Sequence, residues 1–340
     1  MVASLYPPSE AKQALWVFLE TEGDNFASVS IELLSKGRDL ADRAGWTLGG
    51  LLLGNEVSDR VNQVYSFGAD EVWLLDHPLL EEFDVCGYSH ATMQAIEKGK
   101  PSVLLLGATA NGRDLAGRLA VRLRTGLNAD CTDLILDEDR GVLISEVTGF
   151  GGGVIALLES AAHCPQMSTV RPGVFVANEP DPNRKGELVE VKVKLEKADI
   201  RSRVVERHVG EGVDLTQAPV LICGGRGIDG DFESLRALAA LVNGEVGATR
   251  PPVDDGHIGR ERQVGQTGVV CRPKVVLNFG ISGAFHFIVG IQDAETVIAI
   301  NSDPEAPIFD HADYCIVEDT HKILPSLIET LQRELEADHA

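Results

Sequence analysis

An α/β protein of two domains, each a mostly parallel sheet flanked by helices, is what this sequence predicts, and three observations predict it. The chain has 340 residues, more than one hydrophobic core ordinarily fills. Short apolar runs alternate with helical periodicity from end to end, the pattern of parallel strands covered by helices. That alternation restarts near Pro219, after a charged and glycine-bearing connector. The boundary is therefore expected between an N-terminal domain over 1–205 and a C-terminal, Rossmann-like domain over 206–340.

The elements follow in order. Ala14–Leu19 reads as a first strand, and Phe26, Val29, Leu33, Leu40 and Ala44 then recur at helical spacing. Thr47–Gly54, Glu71–Leu75 and Ser102–Gly107 are further apolar strands. The last runs into Ala108–Asp114 and a helix carrying Leu115, Leu119 and Leu123. From Asp133 to Lys194 the strands shorten, with Gly141–Val147 and the alternating Leu188–Leu195. Gly149–Gly153 and Glu179–Asn183 read as turns, and Ile200–Arg207 with Gly210–Asp214 as the connector.

Composition narrows the function. Hydrophobic residues make up 44% and charged ones 24%, ordinary for a water-soluble chain. No run approaches the roughly 20 apolar residues of a membrane span, and no signal or transit peptide is visible at the start. Six cysteines are widely separated with no CxxC pair, which suits reduced thiols in a cytoplasm and not a zinc cage. The formal charge of −22 repels phosphate backbones and anionic lipid, so nucleic acid is not expected as a partner and a membrane surface is a poor one. From Glu206 onward there are ten Lys or Arg against 22 Asp or Glu. Seven of those ten (Arg226, Arg236, Arg250, Arg260, Arg262, Arg272, Lys274) fall within 49 residues, a concentration that points to a bound anion.

The C-terminal domain also carries the motif. Ala218–Gly224 is an apolar strand that runs into Gly225-Arg-Gly-Ile-Asp-Gly230, a GxGxxG match, and then a helix with Phe232, Leu235, Leu238 and Val242 on one side. Glycines there let backbone amides approach a phosphate, and a helix N-terminus adds positive potential. The acid that would hold an NAD ribose is missing, because the next strand ends in Thr249-Arg250. That leaves NADP or another cofactor with a polar end for an arginine. A second small-residue junction, Phe279-Gly-Ile-Ser-Gly-Ala284, favours a large anionic cofactor over a turn without ligand. An NADP-dependent oxidoreductase using the Gly225–Gly230 loop is the alternative class, and a structural subunit binding adenine nucleotide a third.

Several blocks resemble the α subunit of electron-transfer flavoproteins. They are Gly224-Gly-Arg-Gly227, Gly247-Ala-Thr-Arg250, Arg262-Gln-Val-Gly-Gln-Thr-Gly268, Gly280-Ile-Ser-Gly-Ala284, Ala299–Phe309 and Ala312-Asp-Tyr314. In the first domain Gly107–Ala116, Gly126–Thr132 and Thr169–Gly173 match in the same order. The resemblance covers roughly residues 14 to 335. It implies FAD in the C-terminal domain, a nucleotide-hydrolase-like N-terminal domain that contacts an obligatory β subunit, and a heterodimer whose β subunit carries AMP or a second FAD. It further implies an electron carrier, with no substrate of its own, between flavin dehydrogenases such as an acyl-CoA dehydrogenase and a quinone-linked reductase or other acceptor. Some members bifurcate electrons, which a second flavin outside this chain would decide.

By the same resemblance, Arg226 meets the pyrophosphate side and Arg250 lies over the isoalloxazine. Gln266 and Thr267 line the ring, with Thr267 near N5. Ser282 and the adjacent Gly280 and Gly283 approach the phosphates and ribityl chain, and Asn301 and Asp313 hold the adenosine end. Gly225, Gly227, Thr249, Gln263, Val264, Gly265 and Ala284 are further cofactor-binding candidates. Reduction places negative charge on the flavin, which a fixed guanidinium stabilises. At an effective dielectric of about 20, a unit charge about 4 Å away is worth roughly 4 kcal/mol, about 170 mV for one electron. Thr267 offers a hydroxyl whose proton rotates to donate or accept.

One departure stands out. The family commonly reads Gly-Ile-Ser-Gly-Ala-x-Gln-His, its histidine approaching flavin O2, whereas His286 and Phe287 occupy the last two places here. A one-residue shift turns a helical side chain by about 100°, so His286 is a cofactor-binding candidate without that specific role. The negatively charged one-electron-reduced flavin is accordingly expected to be less stabilised here. Thr249 stands where the family often has Ser. Elsewhere Arg113 and Asp114 are expected to serve an interface or a cap, Cys223 to be a small buried residue, and no His group has metal spacing.

Overall fold

The computed structural model describes residues 5–23, 25–149, 154–205 and 215–338. The chain divides into two compact units, Met1–Arg207 and His208–Ala340. Positions 150–153 of the anticipated turn and most of the connector, 206–214, lie outside the described residues.

The first unit opens with β1 (Lys12–Leu19), the two-residue strands β2 (Thr21–Glu22) and β3 (Asn25–Phe26), and α1 (Ser28–Ala44). There follow β4 (Thr47–Gly54), α2 (Val61–Ser66), β5 (Glu71–Asp76), α3 (Val85–Gly99), β6 (Pro101–Gly107) and α4 (Ala110–Leu123). Then come β7 (Leu127–Cys131), β8 (Asp133–Asp137), β9 (Val142–Gly149), β10 (Val154–Glu159), β11 (Gln166–Val170) and β12 (Glu187–Glu190). Seven strands form one parallel sheet in the order β12-β5-β4-β1-β6-β11-β7, and β10-β9-β8 form a separate antiparallel sheet.

The apolar runs are continuous because both faces of a parallel sheet are covered. Leu15, Val17 and Leu19 of β1 pack with Val29, Leu33 and Leu40 of α1. Trp16 and Phe18 pack on the other side with Ala91, Leu115 and Leu119 of α3 and α4. Phe26, expected on the helix, precedes it in β3 and is buried in the same cluster as α1.

One expected strand is shorter than its pattern. Leu188–Leu195 alternates throughout, yet β12 ends at Glu190, where its partner β5 approaches its own end. Val191, Val193 and Leu195 still pack inward, but the backbone of Lys194 is held by the Gln94 amide of α3, in both directions, at 2.9 and 3.0 Å. Inward alternation therefore persists past Val191, whose amide makes the last bond to β5, on Leu74 O at 2.9 Å.

The connector begins on a firm anchor. The buried carboxylate of Asp84 caps α3 through Cys86 and Gly87 and also accepts from the Arg201 and Ser202 amides. Burial opposes its ionisation, but the Ser202 hydroxyl and these amides outweigh that and hold the carboxyl below the usual range.

The second unit contains β13 (Val220–Gly224), α5 (Phe232–Leu241), β14 (Glu245–Ala248), α6 (Arg250–Asp254), β15 (Val275–Phe279), α7 (Phe285–Ile288), β16 (Thr296–Asn301), β17 (Tyr314–Val317) and α8 (Thr320–Asp338). Its five parallel strands are ordered β14-β13-β15-β16-β17. From β13 the chain passes to β14 on one side and then to β15 on the other, so the strand order reverses between β13 and β15. Open α/β sheets bind ligands at such a reversal, beyond the carboxyl ends of the strands. In α8, Leu324 is buried and Leu327, Ile328 and Leu331 pack beside it, as the apolar stripe predicts.

Candidate functional site

Four loops meet at the carboxyl edge of the second sheet. The first follows β13. Gly225 donates its amide to Phe279 O at 2.9 Å, and Gly227 donates to Gly280 O at 3.0 Å. Two glycine loops therefore lie backbone against backbone across the strand reversal. A Cβ on Gly225 would come within 2.3 Å of Gly280 O, and one on Gly280 within 2.6 Å of the Gly227 backbone. Gly280 also has φ +61, a region that side chains resist.

This changes the reading of the GxGxxG motif. Its first two glycines allow chain-to-chain contact, and their amides already serve acceptors within the chain. The helix does not follow directly either. A short 3₁₀ turn covers Arg226–Ile228, and α5 starts at Phe232 under a cap from its own Asp231, which accepts from Ser234 N at 3.1 Å. The helix terminus expected to attract a phosphate is thus capped by a carboxylate, and the NADP alternative loses the Gly225 and Gly227 amides.

The second loop leaves β14. Thr249 donates its amide to Gly224 O at 3.0 Å, bringing this turn beside the first loop. Arg250 opens α6, and its Nε lies 3.0 Å from Asp254 Oδ2 at the far end of that single turn. The third loop holds the Gln263–Gly268 block. Val264 donates to Ala248 O at 2.8 Å and Gln266 to His286 O at 2.7 Å, which fix the turn to β14 and to α7. Inside it the buried Gln263 donates Nε2 to Thr267 Oγ1 at 2.9 Å.

The fourth loop runs from Gly280 into α7. Asn301, at the end of β16, donates Nδ2 to Ile281 O at 2.8 Å, and Ser282 O accepts from Ile308 N at 3.0 Å. Among the described residues, the Ser282, Gly283 and Ala284 amides donate to no acceptor of the chain. In the first loop only the Arg226 and Gly230 amides are in the same state.

Together the loops enclose a cavity of about 780 Å³, within the range of ligand sites of roughly 300–1,000 Å³. Of the residues anticipated from sequence, all but Gln266, Gly283 and Asp313 line it. Gln266 contributes its backbone to the third loop, and Gly283 lies against Ile308, whose backbone a Cβ there would strike at 2.2 Å. Asp313 is at the opposite edge of the sheet. It precedes β17, and its carboxylate accepts from Val297 N, near the start of β16, at 2.8 Å. At the carboxyl edge of β17 stand Glu318 and Asp319, outside the cavity lining, and Asp319 accepts from His321 N at 2.9 Å. Its neighbour Thr320 donates to Gly227 O at 2.9 Å.

Pro251 and Ile281, not named as site residues from sequence, also line the cavity, as does Phe287, marked there only as standing at the family's histidine position. Proximity to Arg250 and to the Gly280–Ala284 block is the signal that would have found the first two. His286 and Phe287 both line it from different sides of the one-turn helix: His286 is exposed, whereas Phe287 is 4% exposed and packed into the core. The shifted register therefore puts an apolar ring on the inner wall and the imidazole at the rim.

The lining carries Arg226, Arg250 and His286, and no Asp or Glu among the described residues. Arg226 has no carboxylate partner among them. The other clustered cations lie outside the lining: Arg262 pairs with Glu245 at 3.1 Å and Arg272 with Asp293 at 3.4 Å, while Arg236, Arg260 and Lys274 are exposed. Concentration in sequence thus exceeds concentration at the cavity, which two of the seven line. Cys223 is fully buried and its thiol is pushed well above the ordinary value by burial, so it is no nucleophile. No group of His, Cys, Asp or Glu among the described residues is arranged to hold a metal.

Residues 15–196 match the electron transfer flavoprotein domain, and residues 214–292 match the electron transfer flavoprotein FAD-binding domain. The electron transfer flavoprotein subunit alpha of Thermoanaerobacterium thermosaccharolyticum is 41% identical over 323 residues, covering 94% of this chain and 98% of that protein. The chain belongs to the electron-transfer flavoprotein α-subunit family. The subunit alpha of Clostridium acetobutylicum is 40% identical, over 93% of this chain and 96% of its own length. The acryloyl-CoA reductase electron transfer subunit beta of Anaerotignum propionicum is 38% identical, over 94% and 95%.

FAD is the cofactor of this family, and the cavity suits it. An elongated, anionic molecule meets three free amides at Ser282–Ala284, a free guanidinium on Arg226 and an acid-free wall that ends in the apolar face of Phe287. The electron-transfer flavoprotein α subunit is thus a redox carrier with its cofactor domain in the second unit. No helix among its described residues is long and apolar enough to cross a membrane.

Proposed function

We propose that the chain pairs with an electron-transfer flavoprotein β subunit carrying AMP or a second FAD, takes electrons from flavin dehydrogenases such as an acyl-CoA dehydrogenase, and passes them to a quinone-linked reductase or other acceptor. The observation that carries this reading is a cavity lined by two arginines and no carboxylate, in a chain of net charge −22. Bound FAD supplies the acceptance and release of electrons. Arg226 and the amides of Ser282–Ala284 hold its pyrophosphate, by charge-assisted hydrogen bonds. Arg250 favours the added negative charge of reduction. Thr267 presents a hydroxyl to the ring, with one lone pair already taken by Gln263. Thr249, Val264, Gly265 and His286 shape the ring site, and Asn301 secures the loop beneath the ribityl chain.

The first unit supplies the β-subunit contact in this reading. The edge strand β10 exposes Val154, Ile155, Leu157 and Leu158, an apolar row unusual on a free surface. None of the six cysteines forms a disulfide, which suits a reducing compartment and supports a cytoplasmic location. Its acidic surface speeds transient docking onto basic partners.

The test is co-purification with the β subunit followed by absorbance. The reading expects bound flavin that bleaches on adding substrate-reduced acyl-CoA dehydrogenase and recovers with a quinone-linked acceptor. A colourless complex defeats it. Bleaching by NADPH alone, with no dehydrogenase present, would restore the oxidoreductase alternative. Flavin stoichiometry of one or two per complex decides whether a second flavin is available for bifurcation.

A further inference from the structure

The two cations that line the cavity differ in one respect. Arg226 has no carboxylate partner among the described residues, whereas Arg250 offers its Nε to Asp254 Oδ2 at 3.0 Å. We propose that Asp254 is the counter-ion and positioning residue of Arg250, holding the guanidinium at the cavity wall and lowering the potential of the flavin there. The inference rests on the reading that places Arg250 at the flavin ring.

The asymmetry follows the chemistry expected at each arginine. Arg226 faces a pyrophosphate, a permanent anion that neutralises it on binding. Arg250 faces a ring that is neutral when oxidised and gains negative charge only on reduction. A free guanidinium there would have no counter-charge in the oxidised state and would pull the potential upward. A carboxylate at 3.0 Å supplies that counter-charge at all times and reduces the net field on the ring.

The backbone makes the pair inevitable. Arg250 and Asp254 are four residues apart, the spacing at which helical side chains meet. The intervening Pro251 and Pro252 fix φ for the single turn, and Asp255 N closes it on Pro251 O at 2.9 Å. Thr249 N on Gly224 O ties the same turn to β13. Nε is used and the two terminal nitrogens of Arg250 remain for the cavity. Both side chains are exposed, at 67% and 59%, so the pair adds little to folding stability. That separates a redox role from a structural one.

Stepwise spectroelectrochemical titration of the FAD-loaded αβ complex tests this. Asp254→Asn keeps an oxygen for Nε and removes the charge. It is expected to favour the first one-electron reduction about tenfold, a rise of about 59 mV, with an unchanged melting temperature. Arg250→Gln is expected to lower the same potential, and Glu329→Gln on α8, outside the lining, to leave it unmoved. An unmoved or lowered potential in Asp254→Asn, with Arg250→Gln still lowering it, overturns the assignment of Asp254 alone. If Arg250→Gln also leaves the potential unmoved, the placement of Arg250 at the ring fails. An equal rise in Glu329→Gln would make the effect one of net charge and overturn the assignment as well.

Discussion

The two units solve the same topological problem with opposite results. In each, the first strand sends the chain to a neighbour on one side and later to a neighbour on the other: β1 to β4 and then β6, β13 to β14 and then β15. In the first unit the reversal is filled from within. Glu20, just past β1, accepts from Thr109 Oγ1 at 2.6 Å and from Asn111 Nδ2 at 3.2 Å, both beyond β6. Thr109 also caps α4, accepting from Gly112 N at 2.9 Å, so that cap belongs to neither Arg113 nor Asp114. In the second unit two glycine loops press together at the reversal, leaving the space above them to a cavity with arginines. A carboxylate at one crevice and guanidinium groups at the other explain why an anionic cofactor belongs to the second unit.

Gly280→Ala attacks the open crevice and carries the largest expected effect. The new methyl needs positive φ and meets the Gly227 backbone at 2.6 Å. A loss of about 2–4 kcal/mol in the stability of that unit is expected, with a severalfold fall in bound flavin. Chemical denaturation and flavin content check both; retained flavin at full stability would remove the loop contact from the account.

Phe287→His sharpens the picture within the same crevice. An imidazole on the inner wall is expected to raise the first one-electron potential by tens of millivolts, the scale of a partly screened charge. Unchanged potentials would mean that the register shift of His286 has no redox consequence.

The smallest effect belongs to the closed crevice. Burial pushes the Glu20 carboxyl above its ordinary value, and the Thr109 and Asn111 hydrogen bonds pull it only part-way back. A folded value above the unfolded one favours the protonated form. Its contribution to stability is therefore complete below the ordinary glutamate range and is lost as pH rises through the raised folded value. Unfolding of wild type and Glu20→Gln across that window should show the difference between them shrinking at low pH. A pH-independent difference would mean that Glu20 is not strained by burial.

Much of the fold was legible because parallel strands buried on both faces leave unbroken apolar runs. Thr47–Gly54 is a strand over the span its run suggests. Less visible was what ends a strand, since the inward packing of Val193 and Leu195 survives beyond the last bond to β5, from Val191 N to Leu74 O. At the site, the glycine blocks marked the crevice that holds the cavity for an incomplete physical reason: composition shows that Cβ is absent, and not whether a phosphate or another backbone takes its place. Asp313 was placed wrongly because a sequence block does not reveal which edge of the sheet its first residue occupies. The pairing of Arg262 and Arg272 with distant acids was likewise invisible, so seven cations were credited to a site whose lining holds two of them, Arg226 and Arg250.

The most direct measurement is a crystal structure of the αβ complex at a resolution that shows flavin. The account predicts a tricyclic ring between Arg250, Thr267 and Phe287, a pyrophosphate on Arg226 and the Ser282–Ala284 amides, and Glu20 still bonded to Thr109 with no nucleotide above it. Flavin or nucleotide density at the Glu20 crevice, with none between Arg226 and Asn301, would contradict it.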